Sequence, residues 1–197
     1  MIFVTLSHYQ DLFTQLSGCL FQYEPFIYRL LVQDGDLIQT VPLPWMTIRA
    51  PEPFNYARNV NIAWAETEPH DVILCGDDVR FSGPFVKTLR ETAYSDEKVG
   101  VACAQLYGQS PYVCGYFKRS VIDAVGRMDE QFNGYGREDT DWCRRMELLG
   151  YRTQPVEIPV THMGGGTSFY RRAAEGGESV QAASERANVL YEDKWRD

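Results

Sequence analysis

No apolar run in this sequence approaches the roughly 18 to 20 residues that cross a bilayer. The opening MIFVTLSHYQ has neither the basic start nor the long apolar stretch of a secretory leader. A soluble, cytoplasmic chain is the expectation. The five cysteines, Cys19, Cys75, Cys103, Cys114 and Cys143, are odd in number and form no CxxC pair. Several sit in apolar runs such as Val72-Ile73-Leu74-Cys75, so buried reduced thiols are expected rather than a disulfide framework. Basic residues are in deficit, 19 Lys and Arg against 27 Asp and Glu for a net charge of -8, so no basic stripe is expected to neutralise a phosphate backbone. Nucleic acid is therefore not a favoured partner. Neither an internal repeat nor a low-complexity segment is present, and residues 5–16 contain no glycine and no lysine. That last absence speaks against the phosphate loop of a nucleotidyltransferase.

What is there is enough for one core. With 197 residues, 44% of them hydrophobic, the chain suits one substantial domain and is short for two. Ile2 to Leu6 reads as a strand, and Leu12, Phe13, Leu16 and Leu20 follow at helical spacing. A second strand over Phe26 to Val32 runs into Gln33-Asp34-Gly35-Asp36, which puts Asp34 at a strand's carboxyl end. Four prolines bracket a brief strand between residues 41 and 53, and Asn55 to Glu66 reads as a helix. Val72 to Cys75 has the continuous apolar character of a buried parallel strand and empties into Gly76-Asp77-Asp78. A helix over Phe85 to Tyr94, strands over Val99 to Leu106 and Val113 to Phe117, and a short helix over Ser120 to Gly126 follow. Glu138 to Leu149 is a helix with acidic residues in its first turn and Gly150 at its carboxyl cap. One strand is expected over Thr153 to Val160, then a loop at His162-Met163-Gly164-Gly165-Gly166, a polar start to the tail, and a helix over Ser179 to Trp195. Such alternation is α/β, with ligands expected outside the carboxyl ends of the strands.

Two acidic groups carry the chemistry. Asp77-Asp78 after a buried strand suits a divalent cation, which takes hard oxygen ligands and leaves positions for phosphate. A turn shaped by Gly76 and by aspartates bonding their own backbone accounts for the pair equally well. Glu138-Asp139 heads a helix, where the dipole alone favours negative charge. Ahead of it, residues 129–137 form a loop with two glycines and aromatics, fit to lower a carboxylate beside an acceptor. His162 is a candidate third ligand, and the glycines after it and Arg171-Arg172 are candidate phosphate donors, although exposed arginines and a loop histidine are the ordinary explanation. Tyr135 and Trp142 are candidates for stacking on a ligand's ring, with the core the better place for Trp142.

Taken together these segments resemble the family 2 glycosyltransferases of the GT-A fold, from residue 1 to about residue 170. The resemblance is carried by Phe54-Asn55-Tyr56-Ala57-Arg58-Asn59-Val60-Asn61-Ile62-Ala63, by Gly76-Asp77-Asp78-Val79, and most specifically by Gly115 to Arg119, Val125 to Phe132 and Gly134-Tyr135-Gly136-Arg137-Glu138-Asp139-Thr140-Asp141. It implies a Rossmann-like, open, mixed but mainly parallel sheet flanked by helices in a single domain. Residues 1–110 would bind the nucleotide sugar, 111–170 would serve acceptor and catalysis, and 171–197 would be a helical tail packed on the core or on a partner copy. By resemblance Thr5, Asp34 and Arg58 contact the nucleoside, while Asp77 and Asp78 line the diphosphate; the glycine loop, with Gly165, and Arg171 are further candidate donors to its oxygens. Asp78 and His162 would hold Mn2+ or Mg2+, and Asp139, with Glu138 beside it, would be the catalytic base. The implied activity is inverting transfer from a nucleoside-diphosphate sugar, UDP by default, to a hydroxyl of a saccharide, lipid-linked or small-molecule acceptor. A non-catalytic sugar-nucleotide module of the same fold is the alternative. The acidic motif departs from the family in lacking the last Asp of DxD, and the first half is compressed.

Overall fold

In the computed structural model, which describes residues 1–35, 38, 40–106, 111–133, 135–164 and 167–196, a seven-stranded sheet organises the chain. Its first strand, β1 (Ile2–Ser7), lies between β2 (Tyr28–Asp34) and β4 (Val72–Gly76), both parallel to it, and β3 (Trp45–Ala50) extends the parallel set. On the other side β7 (Cys114–Phe117) runs antiparallel to β4 and to β6 (Val99–Ala104), and β8 (Arg152–Val156) pairs parallel with β6. The order is β3-β2-β1-β4-β7-β6-β8.

Continuous apolar runs form these central strands because both faces are covered, and successive side chains go to opposite faces. Val4, Leu30, Val32, Val72 and Leu74 pack with Trp64, Phe117, Trp142 and Met146 on one side. Phe3, Leu31, Ile73 and Cys75 pack with Phe13, Leu16, Trp45, Phe85 and Leu89 on the other. Helices α1 (Gln10–Tyr23) and α3 (Val86–Ala93) supply the second layer; α2 (Tyr56–Glu66), α4 (Arg119–Val125) and α5 (Glu138–Leu148) supply the first. Asn55 caps α2 by accepting from the Arg58 amide at 2.9 Å. Trp142, fully buried, donates to the Gly126 carbonyl at 2.8 Å and lies 5.4 Å from Trp64 between ring centres, so it is core and not a sugar platform. None of the cysteines is in a disulfide, and Cys75, Cys103 and Cys114 are buried.

Three features differ from the sequence reading. β2 begins at Tyr28 because Phe26 sits in a turn, 97% exposed. The strand expected over residues 153–160 is two: β8 ends at Val156, the chain turns through Pro159, and β9 (Val160–His162) leaves the large sheet to pair antiparallel with β5 (Val79–Phe81). Proline has no N–H for a ladder, so a second proline at 159 marks where pairing changes partner. Beyond the glycines the chain forms a further helix, α6 (Thr167–Ala174), where a polar extension was expected.

The last helix, α7 (Val180–Lys194), buries Ala183 and Ala187. Lys194 reaches Asp129 at 2.6 Å and Asp141 at 2.8 Å, and the Trp195 indole donates to Asp141 at 3.1 Å. These bonds tie the tail to α5 and to the loop before it. Among the described residues no helix is long and apolar enough to cross a membrane.

Candidate active site

β1, β2 and β4 all end on the same edge, which brings Ser7, Asp34 and the Asp77-Asp78 turn together. The Ser7 hydroxyl donates to Asp77 at 2.6 Å. Arg80 locks the turn from behind by donating to the carbonyls of Asp77 (2.9 Å) and Val79 (2.7 Å). A Cβ at position 76 would stand 2.8 Å from Asp78 Oδ1, so the glycine is what lets that carboxylate fold back against the strand end.

The β5–β9 pair sets Val79 opposite His162, and the Met163 amide donates to the Asp78 carbonyl at 3.0 Å. As a result His162 Nε2 lies 3.2 Å from Asp78 Oδ2. Two adjacent ligands of one octahedral cation, each bonded at about 2.1 Å, stand about 3.0 Å apart. The Asp78-His162 pair, in hydrogen-bond contact with each other, is spaced as two adjacent ligands would be, and a carboxylate with an imidazole suits Mn2+ better than Mg2+. Among the described residues no three His, Cys, Asp or Glu side chains converge on one point. Such a pair leaves most of the shell to water and to phosphate oxygens, as Mg2+ sites that bind nucleotides usually do.

The other acid group enters through an unusual backbone. Gly136 and Arg137 are both left-handed, at φ 86° and 76°, immediately before α5. A left-handed arginine costs roughly 1–2 kcal/mol, and two contacts from α7 hold it: Nε donates to Asn188 at 2.6 Å, and the guanidinium lies 5.2 Å over the Tyr191 ring. The two turns bring Glu138 and Asp139 to the head of α5. Glu138 is 9% exposed, and its Oε2 has no hydrogen-bond partner among the described residues. Burial, and then the neighbouring charge of Asp139, push its carboxyl up to about 8. Asp139 is only partly buried; one of its oxygens accepts from the Thr140 amide at 2.6 Å and from the Thr140 hydroxyl at 3.2 Å.

Two tyrosines connect the groups. Tyr56 is raised well above the ordinary phenol range by burial first and then by Glu138, Asp139, Cys75 and Asp78. Tyr135 is raised by burial first and then by Tyr170, Asp78, Glu138 and Asp139. Both phenols thus feel the charge of Asp78 and of the Glu138-Asp139 pair, acids distant in sequence.

Asp34 ends β2, 1% exposed, beside His8 and ion-paired with Arg172. Three other residues expected at the nucleotide are turned elsewhere. Thr5 is wholly buried within the sheet, its hydroxyl donating to the Cys75 carbonyl at 2.9 Å. Arg58 donates to the carbonyls of Pro51 and Pro53, which shapes the loop before α2. Arg171 makes a paired salt bridge with Asp11 at 2.9 and 3.0 Å. Gly165 lies outside the described residues. Sequence reasoning passed over Ser7 and Arg80, named Phe54 only as part of a motif, and took Arg172 with Arg171 as a candidate phosphate donor and not as a partner of Asp34. Neighbours on a helix point about 100° apart, and without α6 in view nothing in the sequence separates Arg172 from Arg171.

No protein-family model matches the chain, and no curated protein matches it. Solved structures do. A mannosyltransferase of Pyrobaculum calidifontis in complex with GDP-Man and Mn2+ aligns over 97% of this chain and 69% of its own, at 12% identity and a TM-score of 0.61. Glucosyl-3-phosphoglycerate synthase of Mycobacterium tuberculosis, in complex with Mn2+, UDP-Glc and glycerol 3-phosphate, aligns over 95% of this chain and 80% of its own (12%, 0.63). A Drosophila beta-1,4-galactosyltransferase 7 mutant, in complex with manganese, UDP-Gal and xylobiose, aligns over 94% and 79% (11%, 0.59). At these identities the likeness is one of fold: the chain has the GT-A fold of nucleotide-sugar glycosyltransferases.

Proposed function

We propose that this chain is an inverting glycosyltransferase of the family 2 kind, moving a sugar from a nucleoside-diphosphate donor, UDP favoured, to an acceptor hydroxyl. The observation that carries the reading is the Asp78-His162 couple at 3.2 Å beside the strand ends, in the GT-A fold, with a second acid group, Glu138-Asp139, at the head of α5. The solved relatives in complex with Mn2+ and GDP- or UDP-sugars support the donor class.

Asp78 and His162 would hold Mn2+ or Mg2+, which when bound supplies Lewis-acid neutralisation of a departing diphosphate. The protein's own part is proton handling and placement. Burial favours the neutral form of Glu138 at neutral pH, while Asp139 beside it is the more open of the two. Asp139 takes the proton of the acceptor hydroxyl as that oxygen bonds to the anomeric carbon. The bond from that carbon to the diphosphate oxygen breaks on the opposite face, and its electron pair leaves with the diphosphate. Glu138, neutral and unpartnered at Oε2, donates a hydrogen bond that orients the acceptor.

Asp139→Asn keeps the shape and removes the base, so transfer should fall by about a hundredfold or more while the Kd for the nucleotide stays within about twofold. Radiolabelled sugar transfer and nucleotide titration measure the two separately. Near-wild-type turnover in the variant would remove Asp139 from the base role.

A further inference from the structure

Helix α6 touches residues from both acid groups' surroundings, Tyr135 before α5 and Asp34 at the end of β2. At its amino-terminal side Tyr170 meets Tyr135, ring centres 6.4 Å apart. Next, Arg171 grips Asp11 and lies 5.0 Å over Tyr9, whose hydroxyl donates to Glu175 just past the helix at 3.0 Å. Arg172 is held most completely: its guanidinium lies 4.3 Å over the Phe54 ring and is ion-paired with the Asp34 carboxylate.

A guanidinium is a flat group with N–H donors at its rim. Stacked on an aromatic ring and donating to a carboxylate, it occupies the kind of slot that suits any flat group with N–H or O–H donors. The slot is also incompletely used. Asp34 is 1% exposed, yet its Oδ1 has no hydrogen-bond partner among the described residues, an acceptor left open beside Arg172. Arg58 keeps the Phe54 side of the slot in shape through the Pro51 and Pro53 carbonyls.

Resting on the donor reading above, in which Asp34 meets the donor's nucleoside, we propose that Arg172 is a plug supplied by the chain itself, seated between Phe54 and Asp34 in the nucleoside's place. The nucleoside must displace the guanidinium to enter. Because a plugged protein binds with its intrinsic affinity scaled by the open fraction, removing the plug strengthens binding. Phe54, in contrast, serves the nucleoside directly.

Titration of UDP in the presence of MnCl2 into the full chain tests this, with GDP as a second probe. Arg172→Ala is expected to bind UDP roughly three- to tenfold more tightly than wild type, with Arg172→Lys in between because lysine keeps the charge but not the flat stack. Phe54→Ala is expected to bind several-fold more weakly, also when combined with Arg172→Ala. Thermal unfolding checks that each variant is folded. Amide hydrogen exchange gives a second readout: UDP should raise exchange over residues 167–174 in the wild type as α6 is released. If the wild type binds UDP and Arg172→Ala binds equally or less well, or if UDP slows exchange over 167–174, Arg172 is a clamp and the plug is overturned while the donor reading stands. If neither nucleotide binds any form, the donor reading fails and takes the plug with it.

Discussion

At residue 138 a carboxyl occupies a place where ionising it is costly, and the cost has a definite pH signature. Its ordinary value is 4.5 and its folded value about 8, raised by burial and by Asp139. Below the ordinary value both folded and unfolded chains hold the proton, and stability is untouched. Between about 4.5 and 8 the folded chain keeps a proton that the unfolded chain has lost, so stability declines as pH rises, by up to about 1.4 kcal/mol per unit. Above that window the penalty is complete. Glu138→Gln removes it, and the variant's advantage over wild type should widen steadily from pH 5 to pH 8 in urea denaturation. A constant gap across that range would mean that Glu138 ionises in the folded chain without penalty. The same substitution keeps a hydrogen-bond donor at the acceptor, so transfer at pH 7 should fall far less than in Asp139→Asn.

Elements place these residues, and α7 is the one whose role sequence periodicity conceals. Its buried positions are the small Ala183 and Ala187, while its polar residues do the holding: Asn188 and Tyr191 fix left-handed Arg137, and Lys194 bridges Asp129 and the fully buried Asp141. Asn188→Ala should therefore loosen the entry into α5 and not the donor side. The expected result is a stability loss of about 1 kcal/mol with transfer reduced several-fold and the nucleotide Kd unchanged. Matched changes in both constants would argue that the damage is global. Lys194→Ala removes one counter-charge from Asp141, which Arg145 at 3.0 Å only partly covers, and a loss of about 1–3 kcal/mol in denaturant unfolding is expected. The elements legible in advance included those with a continuous apolar run or a long periodic face, β1, β2, β4, β6, α1, α2, α5 and α7, and the shorter α3, α4 and β7 as well. The β5–β9 pair was not, because three-residue strands carry no period, and pairing between Val79 and His162 is a long-range choice that local sequence does not encode. Asp34, Asp78, Asp139 and His162 were each legible as residue types at element ends. Whether a side chain such as Arg58 turns toward the cleft or toward its own loop depends on carbonyls at Pro51 and Pro53 that only the folded chain presents.

Across the whole molecule, the sheet order puts the ends of β1, β2 and β4 side by side, with the β5–β9 pair joined to the α1 side of the sheet and α5 packed on the opposite face. Ligand binding should accordingly stabilise the fold as a unit. The Asp78-His162 pair offers two side-chain ligands, too few to hold a hard cation firmly by themselves, so cation and nucleotide are expected to complete each other's sites. MnCl2 alone should shift the unfolding temperature little, and UDP alone should shift it modestly. Together, at about a hundred times the Kd, they should add about 2.7 kcal/mol, or roughly 5 to 10 °C for a chain of this size. Coupling of this kind is reciprocal, so the factor by which Mn2+ tightens UDP must equal the factor by which UDP tightens Mn2+. In His162→Ala that shared factor should collapse toward one while the effect of UDP alone persists. A variant that keeps the full combined shift would show that the histidine is no part of the cation's shell, and would leave Asp78 to be tested without it.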